Sequence, residues 1–135
     1  MSTYIDIHSH ETEGFKILVK FQSWRTAVLN PGKNNRPESL NYIEKHKETD
    51  EVFVLLRGKA YLIIGGDGEK PASLEVLAMD LLKTYNVKMN VWHGVILSDD
   101  ASIYIVENID TTRQNGAYHD LSKEEKELIL AKVSF

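Results

Sequence analysis

Apolar and polar residues alternate at a period of two along most of this chain, and turn-forming residues interrupt the pattern every few positions. Phe15, Ile17, Val19 and Phe21 lie two apart with Lys16 and Lys20 between them, which is the pattern of a half-buried strand. Trp24 to Leu29 continues with β-formers. Asn30-Pro-Gly-Lys-Asn-Asn-Arg-Pro37 is a loop that no sheet interior would accept. Leu40 to His46 reads as the next strand, and Val52–Leu56 with Lys59–Ile64 reads as a hairpin around Arg57-Gly58. After the loop Gly65–Pro71, strands are predicted over Leu74–Leu77, Leu81–Val91, Gly94–Leu97 and Ser102–Val106, with Asp99-Asp100 as a turn. Ser122-Lys-Glu-Glu125 is a capping box followed by Leu128, Ile129, Leu130 and Val133, so a helix is predicted over Lys123–Val133. Short strands, close turns and one late helix define an all-β fold, an antiparallel barrel or two-sheet jelly roll with one short C-terminal helix. The 135 residues are read as a single domain, with an arm over 1–13 and no linker or repeat.

Charge and composition narrow the partners. A net charge of −4 supplies no basic field for nucleic acid or an anionic membrane. The absence of cysteine excludes disulfides, thiolate metal sites and cysteine nucleophiles. No signal-peptide pattern is visible and no apolar run reaches the roughly 20 residues of a membrane helix, so a cytoplasmic protein is expected.

The chemistry concentrates in Glu44-Lys-His46-Lys-Glu-Thr-Asp-Glu51, which runs on to Gly58. Glu44 and His46 are two apart and share one side of a strand. Glu51 opens the next strand and returns to that side after the Lys47–Asp50 turn. In a small antiparallel barrel that side is the lumen, where polar groups cost free energy unless they bind each other or something else. Two carboxylates and an imidazole suit a hard or borderline metal ion or a polar small molecule.

The spacing of His46, Glu51 and Gly58 resembles the first motif of the cupin superfamily, His-x-His, three or four residues, Glu, six residues, Gly; Glu44 stands where the family has its first histidine. Val87-Lys-Met-Asn-Val-Trp92-His93 resembles the second motif at His93, while Lys88, Asn90 and Leu97 replace the family's proline, glycine and asparagine. The resemblance implies a cupin-type barrel with metal positions at Glu44, His46, Glu51 and His93. Two imidazoles and two carboxylates suit Mn, Fe, Ni or Zn alike. It further implies Glu44 or Glu51 for proton transfer in an isomerase, lyase or oxygenase acting on a small polar molecule. The alternative is a non-catalytic cupin that binds a small ligand, since this fold hosts many unrelated functions.

Other residues carry weaker signals. Asp6-x-His8-x-His10 resembles the metal motif of amidohydrolase barrels, which need about 250 residues and much helix, so it reads as part of a polar arm. Arg25 reads as an external salt-bridging residue or as a pocket clamp for a carboxylate. Trp92 is expected to wall the pocket beside His93, and Trp92-His93 is similar to the ureidoglycolate lyase branch of cupin-like proteins. Lys45 and Lys47 read as solvated, and His119 as a surface histidine in the loop before the helix. A homodimer is expected through an open sheet edge, with Phe15–Phe21 the candidate strand.

Overall fold

Each alternating stretch becomes a strand. The computed structural model describes residues 3–135. Its strands are β1 (Phe15–Phe21), β2 (Trp24–Leu29), β3 (Tyr42–His46), β4 (Glu51–Arg57), β5 (Ala60–Ile64), β6 (Glu75–Ala78), β7 (Thr84–Val87), β8 (His93–Leu97), β9 (Ser102–Asn108) and β10 (Gly116–Asp120); helix α1 spans Lys123–Leu130. They form two antiparallel five-stranded sheets, β1-β2-β9-β4-β7 and β10-β3-β8-β5-β6. This is the two-sheet jelly roll the alternation predicts.

Three elements differ from the sequence expectation. The segment 81–91 is not one strand: only Thr84–Val87 pairs, because Leu82 (φ 65°) and Asn90 (φ 67°) take left-handed backbone that ends a ladder. Residues 116–120, expected as loop, form β10 along β3; a short polar segment at a sheet edge shows little periodicity of its own. Helix α1 keeps its capping box at Ser122 and Glu125 but stops at Leu130, after which Lys132 and Val133 make only three-residue turns.

The core has two parts. Phe53, Leu55, Leu62, Val95, Leu97, Ile103 and Ile105 fill the space between the sheets. Ile43, Ile63, Trp92, Ile96 and Ile129 pack on the outer face of the second sheet, beneath α1. The second sheet is therefore covered on both faces. No helix among the described residues is long and apolar enough to cross a membrane.

The β4–β5 hairpin turns at Gly58, where φ is +74° and an added Cβ would sit 2.6 Å from the Ala101 backbone. Both the left-handed backbone and the close approach demand glycine. Gly58→Ala is expected to cost roughly 2–4 kcal/mol in denaturant unfolding, from backbone strain and overpacking together.

Candidate metal centre

At one end of the interior the apolar lining gives way to ionisable side chains drawn from both sheets. Glu44 and His46 come from β3 and His93 from β8, with Glu44 opposite His93 in the ladder. Glu51, Arg25 and Glu107 come from β4, β2 and β9 of the other sheet. The crossing between sheets is the 47–50 turn. Asp50 fixes it by accepting from the Met89 backbone N–H (2.7 Å) and the Asn86 side chain (3.1 Å). Asn90 N–H donates to the His46 carbonyl, which ties the turn before β8 to the end of β3.

Both imidazoles meet one carboxylate oxygen. His46 Nε2 and His93 Nε2 each lie 2.9 Å from Glu51 Oε1. The rings stand edge to face, 5.2 Å apart. His93 Nδ1 is 2.9 Å from the Val91 carbonyl. A carbonyl only accepts, so Nδ1 carries the hydrogen, and a neutral His93 would aim the Nε2 lone pair at an oxygen that also only accepts. A cation must stand between them: a second proton on His93, or a metal ion. Burial disfavours the charged imidazoles, but hydrogen bonding and attraction to Glu51 outweigh it and raise both histidines. Burial likewise pushes Glu51 up, yet the two imidazoles bring it to about 2.

The donor set fits a transition ion. Among the described residues, Glu44, His46, Glu51 and His93 are the one group of three or more such side chains able to share an ion, their ligand atoms lying within 4.8 Å of one another. Donors bonded at about 2.1 Å lie at most about 4.2 Å apart, so a movement of roughly half an ångström closes the set. The Val91 carbonyl orients His93 as outer partners of metal-bound histidines do.

Of the pocket residues expected from sequence, the structure brings Arg25 to this cavity and takes Trp92 away from it. Arg25 Nε and Nη2 donate to Glu107 Oε2 at 3.1 and 2.8 Å. Trp92, 2% exposed, packs in the outer core, where Nε1–H donates to the Gly68 carbonyl. A two-residue period cannot turn neighbours Trp92 and His93 to the same side. Lys45 points outward as expected but is not solvated. It is 5% exposed, donates to the Gly68 carbonyl and lies over the Trp92 ring. His119 belongs to β10 and is half-buried, bonded to Glu125 and edge-on to Trp92. Asp6 pairs with His8, and His10 donates to the Gly14 carbonyl.

Glu107 is the buried cavity carboxylate that sequence reasoning missed. Its side chain is 3% exposed. Oε1 is buried without a hydrogen-bond partner, 3.8 Å from His46 Nε2. Burial first, then the nearby Glu51 charge, pushes it up to about 7 against the pull of Arg25. A signal was present: Ile103, Ile105 and Glu107 share one phase of β9, so an acid continues an inward apolar row. These groups line a cavity of about 360 Å³, whose exposed lining residues include Lys33, Arg113 and Tyr118. Burial and the facing Glu44 push Tyr118 up to about 12.

No protein-family model and no curated protein matches the chain. Solved structures do. A variant of Streptomyces Pac13 with uridine superposes with a TM-score of 0.61 at 11% identity, over 92% of this chain and 96% of that one. A cupin-2 domain protein from Shewanella frigidimarina gives 0.51 at 14%, over 76% and 84%. Fe(II)-HppE with an alternative substrate gives 0.51 at 18%, over 70% and 48%. The chain has the cupin fold.

The buried charges set the pH response of the metal-free protein. His46 and His93, raised above the ordinary 6.5, add stability that is complete below 6.5 and lost as pH rises through their folded values. Glu107, raised from 4.5 to about 7, holds its proton in the folded state and so also loses stability across that interval as pH rises. Glu51 acts oppositely, losing its contribution only as pH falls from 4.5 towards about 2. The melting temperature of chelator-treated protein is therefore expected to fall as pH rises through 6.5 and above. In a His46→Gln, His93→Gln double variant that fall should shrink.

Proposed function

We propose that this protein is a metal-dependent enzyme that binds a small polar molecule in the cavity and moves a proton on it, in a reaction of isomerase or lyase type. The observation that carries the reading is the meeting of two imidazole Nε2 atoms at one Glu51 oxygen, with His93 Nδ1 committed to the Val91 carbonyl. That arrangement asks for a cation, and the donor types suit Mn, Fe, Ni or Zn.

Glu44, His46, Glu51 and His93 would hold the ion, which when bound supplies Lewis-acid polarisation of a ligand oxygen. Glu51 gathers the two imidazoles and, at about 2, is a poor proton acceptor. Proton transfer falls instead to Glu107 Oε1, where the value of about 7 suits exchange at neutral pH. Arg25 holds the other oxygen of that carboxylate and fixes its direction. Glu44, with its side chain 32% exposed, is the second carboxylate open to a ligand. Phe53, Val95 and Ile105 give the floor an apolar lining, and the low dielectric there strengthens these interactions. The fold accommodates such chemistry, as Pac13 is described as a nucleoside dehydratase and HppE carries Fe(II).

A non-catalytic ligand-binding cupin is the second reading. Glu44 favours it, standing where cupins have a histidine and 3.7 Å from His46 Nε2.

Elemental analysis of protein prepared without chelator, together with melting curves in Mn²⁺, Fe²⁺, Ni²⁺ and Zn²⁺, tests the metal centre. Uptake of one transition ion per chain is expected, with a stabilisation that grows from pH 6 to 8 as protons leave the ligands. His46→Gln should weaken uptake by more than the roughly 10–100-fold that outer partners carry. Protein that takes up none of these ions at pH 8 overturns the reading.

A further inference from the structure

We infer that the cavity takes a small anion that also bears a hydroxyl group, its negative charge met by Lys33 and Arg113 and its hydroxyl donated to Glu107 Oε1. The inference deepens the proposed function and rests on it for the choice of hydroxyl over ammonium.

The cations that line the cavity are Arg25, Lys33 and Arg113. Arg25 is committed to Glu107. Lys33 and Arg113 make no ion pair among the described residues, and both are exposed at the open side. Arg113 is held there by the Tyr118 ring, 4.3 Å from its guanidinium carbon. The deep end has the opposite character, with Glu51 and Glu107 facing the interior beside Glu44. A ligand's anionic group gains at the open side from two unpaired cations, whereas at the floor Glu44, Glu51 and Glu107 already offset the charge of an ion held there, so the mouth is the better place for it.

The group that reaches Glu107 Oε1 must donate to it. Once ionised, as it is above about pH 7, Glu107 presents Oε1 as a buried acceptor without a partner, while Arg25 saturates the neighbouring oxygen. Buried acceptors are almost always satisfied, and the cavity is the open approach to this one. A hydroxyl donates to it and remains compatible with an ion on the adjacent histidines, whereas an ammonium would be repelled by that ion. The volume of about 360 Å³ lies at the small end for ligand sites, which suits a single small metabolite rather than a polymer.

Calorimetric titration of the full chain loaded with Mn²⁺ or Zn²⁺ tests this with matched probes. The hydroxy anions are glycerate, malate, tartrate and glycerol 3-phosphate. The controls are propionate and succinate without a hydroxyl, glycerol without charge, and serine and aspartate with an ammonium. At least one hydroxy anion is expected to bind about tenfold or more tighter than its dehydroxylated, uncharged and amino counterparts. Glycerate against glycerol 3-phosphate tells whether carboxylate or phosphate is preferred. A Lys33→Gln, Arg113→Gln double variant, altered only at exposed positions, should lose that advantage and keep its metal. Glu107→Gln, checked by melting curve, should equalise malate and succinate. Glycerol or succinate binding as tightly as the hydroxy anions overturns the inference, as does an unchanged affinity in the double variant or no binding across the panel. Failure of the metal centre itself shows separately, as absent ion uptake by the unaltered protein.

Discussion

Two imidazoles meet the Glu51 carboxylate at 2.9 Å across the gap between the sheets, and the polar end of the interior is organised around that meeting. A carboxylate in a closed apolar space is costly by itself, because burial removes the water that stabilises its charge. Here the cost is offset by positive partners from the opposite sheet. The bond is also a cross-link: β4 is joined to β3 and β8, which share no ladder with it. The turn between Lys47 and Asp50 delivers Glu51 to that position, and the side chain of Asp50 holds the turn through Met89 and Asn86.

The second buried carboxylate is arranged differently. Glu107 faces Arg25 in the β2–β9 register, so one of its oxygens is neutralised by a neighbour in the same sheet. Its other oxygen is left open to the cavity. One carboxylate is thus saturated by histidines and held far below the usual range, while the other is half-paired and pushed towards neutrality. Environments that drive two acids apart in this way are what the proposed division between a metal ligand and a proton carrier would need.

The outer face of the second sheet packs the backs of β3 and β8, the strands that carry these groups. Lys45, between Glu44 and His46, turns away from the site into a layer with Trp92 and the Gly68 carbonyl. Ile43, Ile63 and Ile96 complete that layer beneath Ile129 of the helix. Both faces of the strands are therefore packed. The helix contributes to the site only by anchoring its back.

The sequence by itself determined the strand pattern, the capping box, and the spacing of His46, Glu51 and Gly58, because a period of two and the need for glycine at a left-handed turn are local properties. Asn90 shows how local they are: it stands at the glycine position of the cupin motif this segment resembles and adopts the φ of 67° that asparagine tolerates better than most residues. Tertiary structure decided what each side chain meets. The short segment β10 is a strand because β3 offers it a ladder, and its own residues hardly announce one. Lys45 is buried because another layer covers the face to which alternation sends it. Trp92 leaves the pocket and Glu107 enters it by the same two-residue period, but only the pairing of the sheets reveals which side is interior. Glu107 and His46 are 61 positions apart, and no local rule brings their side chains within 3.8 Å. Charge and hydrogen bonding act through space, so the chemistry of this site was fixed only when the sheets closed over it.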